Sequence, residues 1–138
     1  MSHDMVLDWR DHLKDGRQYL KTAYNGRARP TVFTPALIYN LTAMAIEQLL
    51  VALWQYHHQM PGDHTLDGLV DGLAGICPLE KDLAEGVKAL ARFDDMCPLV
   101  PVNRRLPTDL EIQAMLAVAI QVADFAGRQV GLTLDQLV

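Results

Sequence analysis

Apolar residues recur along most of this chain at intervals of three and four, the spacing of one helix face. Val6, Trp9, Leu13, Leu20 and Tyr24 form such a stripe and predict a helix from about Asp4 to Tyr24. Arg10, Lys14, Arg17 and Lys21 make a second stripe bordering it, and Asp4, Asp8, Asp11 and Asp15 a third, nearly opposite the apolar one. Three stripes in one register carry the helix through Asp15-Gly16, despite about 1 kcal/mol lost at a glycine. Asn25-Gly26 marks its end.

Thr34-Pro35 supplies the N-cap and first residue of a second helix, which reaches about His58 and ends before Pro61-Gly62. That helix is apolar nearly all round, as a helix packed on several sides must be. A third helix, about Thr65 to Ile76, places Leu66, Leu69, Val70 and Leu73 on one face. Cys77-Pro78 separates it from a fourth, about Leu79 to Asp94, which buries Leu83, Val87 and Leu90, with Phe93 next in register. Thr108 and Glu111 form a capping box, each side chain able to satisfy a free N–H of the other residue. The fifth helix then runs from about Asp109 to Val130 and stops at Gly131. Its apolar face holds Leu110, Ile112, Met115, Leu116, Ala119, Val122 and Ala123. No segment alternates like a strand. The pattern predicts an all-α fold, an antiparallel up-down bundle of four to five helices.

Length adds that 138 residues make one domain, with residues 1–3 and 133–138 as terminal extensions. Half of the residues are hydrophobic and 21% are charged, which excludes a disordered or charge-block chain. The net charge of −5 excludes bulk coating of DNA. The stretch from Ala36 to Tyr56 is long enough for a bilayer, but Asn40, Glu47, Gln48 and Gln55 lie within it. A central carboxylate costs about 2.5–3.5 kcal/mol in a membrane, so the expectation is a buried helix of a soluble bundle and no membrane. Met1 to Val6 lacks the basic start and apolar run of a signal peptide, which makes a cytoplasmic location the expectation. Cys77 and Cys97 read as reduced thiols at helix boundaries.

Candidate chemistry is sparse. Glu47 lies two turns after Asn40 on the same face of the most apolar helix. A carboxylate there is tied to an Arg or Tyr as a register-fixing bond, forms the polar floor of a ligand cleft, or is simply exposed. Arg104 and Arg105 precede the free N–H groups of the fifth helix, where guanidinium groups hold a phosphate or carboxylate. Arg105 paired with Asp94, Asp95 or Glu47 is the alternative. The Arg10 to Lys21 stripe reads as stems laid along the edge of the core. His57, His58 and His64, with Asp63, have no i, i+4 pair and read as a polar helix end, so no metal site is expected. No glycine-rich phosphate loop, nucleophilic triad or HExxH motif is present, and no cofactor is expected.

Three segments in order resemble the HEPN superfamily. Tyr39 to Leu53, with Glu47 embedded, resembles the family's "A-x-E-x-x-L-K-A-L" helix. His64-Thr-Leu-Asp-Gly-Leu resembles its "H-D-L-x-x-L" helix start, and Arg105-Leu-Pro-Thr-Asp109 its "R-Y-P-x-D" loop. The resemblance spans about residues 5 to 130 and implies a dimeric up-down bundle. Members are ribonuclease toxins or nucleotide-binding companions of a small nucleotidyltransferase. The ribonucleases carry Arg, four to six intervening residues, then His, and no Arg here precedes a His at that separation. The family's lysine after the glutamate is replaced by Val51. The resemblance thus implies a non-catalytic binding module, a homodimer, for a nucleotide or other anion or for a nucleotidyltransferase partner. Asn40, Glu47, Arg104 and Arg105 are the candidate ligand residues. The alternatives are an RNA-cleaving toxin using His57, His58 or His64 at a degenerate site, and a purely structural dimer.

Overall fold

The computed structural model describes residues 8–95 and 106–131, the side chains of residues 94 and 95 excepted. Five helices occur in this order: α1 (Trp9–Gly26), α2 (Pro35–Tyr56), α3 (Leu66–Leu73), α4 (Lys81–Asp95) and α5 (Asp109–Gln129). Among the described residues there is no strand. The all-α class follows.

Local chemistry sets the helix ends. Thr34 and Thr108 cap α2 and α5 as their side chains suggest, with Thr34 Oγ1 accepting from the Leu37 N–H at 3.2 Å. The capping box of α5 is complete in both directions: the Thr108 N–H donates to Glu111 Oε1 at 2.8 Å, and the Glu111 N–H to Thr108 Oγ1 at 3.2 Å. The acidic stripe of α1 is partly a cap of the same kind. Asp8 accepts from the N–H groups of Arg10 and Asp11, and Asp11 accepts from the Asp8 N–H. Asp4 and Val6 lie outside the described residues.

The end of α2 differs from expectation. The helix stops at Tyr56, before His58 and well ahead of Pro61-Gly62. His58 adopts the left-handed conformation, φ 60°, where glycine is usual. Its N–H bonds to the Gln55 carbonyl, and the Gln59 N–H reaches back to the Trp54 carbonyl, both at 2.9 Å. This Schellman-type closure satisfies the last carbonyls locally, so no proline is needed to break the helix. Likewise α3 ends at Leu73, three residues short of Ile76.

Contacting residues give the chain directions. Trp9 at the start of α1 meets Tyr56 at the end of α2, ring centroids 5.1 Å apart. These two helices are therefore antiparallel. The Tyr39 hydroxyl near the start of α2 donates to the Leu90 carbonyl late in α4 at 3.0 Å, so α2 and α4 also oppose. Gly86 of α4 faces Val118 of α5, and Ala23 of α1 packs with Ile112 and Leu116 of α5. The four long helices alternate in direction, and α3 is inset in the connection from α2 to α4.

The core forms around α2. Ile46, Leu49, Leu50 and Leu53 are fully buried, joined by Leu69 and Leu73 of α3, Val87 of α4 and Val122 of α5. Two residues read as apolar-face members are instead on the surface. Leu110 in the first turn of α5 is 77% exposed, and Tyr24 is 47% exposed with the Arg27 guanidinium 4.1 Å from its ring centroid. Each sits near a helix end, Leu110 in the first turn of α5 and Tyr24 in the last turn of α1 at the rim of a groove with Ile120 and Ala123. By length and composition α2 and α5 are both apolar enough to cross a membrane, and 56% and 50% of their apolar windows are buried inside the bundle.

Candidate functional site

One face of α2 is not covered by the core. Asn40, Ala43, Met44 and Glu47, spaced at three, four and seven from the first, line a cleft of about 600 Å³ with Tyr39. The opposite wall comes from His64 and the first turn of α3, Thr65 to Asp67, and Ala91 of α4 contributes a small apolar patch. Tyr39 anchors the cleft through its bond to Leu90 and its ring, 5.4 Å from that of Phe93. Thr65 is the N-cap of α3, its hydroxyl accepting from the Gly68 N–H at 3.0 Å. Its own N–H donates to Asp63 Oδ1 at 2.8 Å. Bonds from Thr65 hold the Asp63 carboxyl below the usual carboxylate range. The wall carrying His64 is thus fixed by capping chemistry.

Glu47 meets neither an arginine nor a tyrosine among the described residues. Its Oε2 lies 3.4 Å from His64 Nδ1, with the two side chains 36% and 56% exposed. The expectation of a sealed register-fixing bond is therefore corrected. At position 47 the α2 surface faces the opening between α2 and α3, where water reaches the carboxylate. Pairs this exposed contribute about 0–1 kcal/mol. Glu47→Ala is accordingly expected to change the unfolding free energy measured in urea by no more than that. A loss above about 2 kcal/mol would show that the carboxylate is sealed in solution.

Asp67 supplies the second carboxylate on the cleft. Its Oδ1 is buried and has no hydrogen-bond partner. Lys88, whose charge feels Asp67, donates to Asp71 Oδ1 at 2.5 Å instead. No lysine or arginine is among the described lining residues. Arg104 and Arg105 lie outside the described residues, as do the side chains of Asp94 and Asp95, so neither the anion site nor its ion-pair alternative is described.

The other candidates are dispersed. His57 caps the end of α2, its Nε2 buried without a hydrogen-bond partner, and His58 is exposed; neither lines the cleft. No group of three or more His, Cys, Asp or Glu among the described residues is placed to hold a metal ion. His12, which sequence reasoning passed over, has its Nδ1 2.6 Å from Gln48 Oε1. A histidine facing a glutamine on the neighbouring helix carries no spacing signal, because the pair is 36 residues apart. Of the basic stripe, Arg17 is partly buried, and its desolvation draws its pKa down. Arg17 and Lys21 flank a small groove floored by Leu20, Ile120 and Ala123. Cys77 is a buried free thiol, and burial pushes its pKa up, which disfavours the reactive thiolate. Cys97 lies outside the described residues.

No family model, no curated protein and no solved structure matches this chain.

Proposed function

We propose that the chain is a non-catalytic binding module with a HEPN-like bundle, whose ligand site is the cleft between α2, the start of α3 and α4. One observation carries the reading: Asn40 and Glu47, two turns apart on the most apolar helix, line one cleft together with His64 from the start of the next helix. A core helix that presents an amide and a carboxylate to a cavity is suited to orienting a polar ligand. Of the three histidines that the RNA-cleaving alternative would use, His57 and His58 stand away from the cleft and His64 lines it beside Glu47. A nucleotide is the ligand that the resemblance implies, its phosphates held by Arg104 and Arg105. Homodimer formation and docking to a small nucleotidyltransferase belong to the same proposal.

Thermal unfolding of the pure protein with a panel of nucleotides and small amines tests it. A ligand present at 100 times its Kd adds about 2.7 kcal/mol. That gain is expected to shrink in Asn40→Ala and in Glu47→Gln. The absence of any stabilising ligand would overturn the proposal. Mixed single-stranded RNA is expected to remain intact on incubation with the protein. Cleavage that disappears in His57→Ala, His58→Ala or His64→Ala would establish the RNA-cleaving alternative.

A further inference from the structure

We infer that the cleft recognises a ligand edge carrying two adjacent N–H donors, as in a guanidinium group or the Watson–Crick edge of guanine. The inference rests on the cleft being the ligand site. Its described walls are rich in acceptors. Glu47 stands on α2 and Asp67 on α3, with the amide of Asn40 one further turn back along α2 from Ala43 and Met44. No lysine or arginine among the described lining residues neutralises them.

The two carboxylates are also incompletely used. Asp67 Oδ1 is buried and accepts no hydrogen bond, so a ligand donor reaches it only if the first turn of α3 shifts to admit one. The cation that feels Asp67, Lys88, is engaged with Asp71. Glu47 has the half-exposed imidazole of His64 at 3.4 Å, beyond the usual length of a charge-assisted hydrogen bond. A planar group with two parallel N–H bonds satisfies both oxygens of one carboxylate at once, which a single amine does not. The remainder of such a ligand would lie on Met44, 41% exposed, and on Ala43 and Ala91.

Two sources offer this donor edge, and calorimetric titration of the full-length protein separates them. The probes are agmatine, for a charged guanidinium, and guanosine, for the neutral base; adenosine is the control, since its edge pairs one donor with one acceptor. Agmatine or guanosine is expected to bind at least tenfold more tightly than adenosine. Glu47→Gln and Asp67→Asn are expected to weaken the preferred probe at least tenfold, with melting temperature recorded to confirm that each variant is folded. Glu47 is half-exposed, so Glu47→Gln leaves the fold intact even if Asp67→Asn does not. Adenosine binding as tightly as both probes, or probe binding that ignores Glu47→Gln, would overturn the donor-edge rule while leaving a binding cleft in place. Failure of all three probes together with the wider ligand panel would overturn both.

Discussion

Leu49→Ala is expected to lower the free energy of unfolding by about 2–5 kcal/mol, the cost of emptying a fully buried leucine site. Leu49 has no exposed surface and lies where α1 crosses α2. The crossing is close because α1 presents Gly16 there. A Cβ added at Gly16 would come within 2.8 Å of Leu49 Cγ and 3.0 Å of the Ala45 carbonyl oxygen. Gly16→Ala gains about 1 kcal/mol of helix propensity, but overpacking costs typically about 1–3 kcal/mol. In the Leu49→Ala background the nearest obstacle is gone. The two substitutions should therefore couple, Gly16→Ala being less harmful or even favourable there. Urea unfolding of the wild type, both single variants and the double variant measures this. Strict additivity would show that the helices already part freely at Gly16.

Gly72→Ala is expected to cost about 1–3 kcal/mol by overpacking. A methyl group at position 72 would overlap Cζ2 and Cη2 of Trp54. The indole cannot bend, and it is fixed along the same edge, where Nε1 donates to the Leu69 carbonyl at 3.2 Å. Relief requires Trp54 to turn and lose that bond, or α3 to move off α2. The change should appear in the urea midpoint together with a loss of the Trp54 near-ultraviolet dichroism. An unchanged midpoint would mean that the indole has room to rotate.

Helix existence was legible because each long helix carries its own apolar pattern and three of the four carry side-chain caps. Thr34-Pro35 and Thr108 with Glu111 specify their boundaries through chemistry that needs no tertiary partner. Leu83, Val87 and Leu90 were readable for the same reason. The close approaches were not. Gly16 looked like a cost to α1 that the register had to override, whereas it is the point at which α2 comes nearest. Glu47 and Asn40 were readable as one face of α2, yet the partner of Glu47 was not. His64 reaches it only because the chain turns through Schellman closure at His58 and restarts at Thr65. Asp67 gave no signal, since an aspartate in a first turn ordinarily reads as a favourable charge at a helix start. Its unmet acceptor is visible only with the neighbouring helices in place.

The shortness of α3 has a kinetic meaning. Eight residues make about two turns, too few to persist as a helix without support. Its attachments are the packing of Leu69 and Leu73, the bond from Trp54 and the ion pair of Asp71 with Lys88. These give it a smaller hold than α2, whose amides are shielded along most of its length. Amide exchange will therefore run fastest through α3 and slowest through the centre of α2, with α3 opening as a separate unit. Such an opening carries Asp67 and the Thr65 cap away from Asn40 and Glu47 while the four long helices remain assembled. Occupancy of the cleft and protection of the α3 amides are then two readings of one equilibrium.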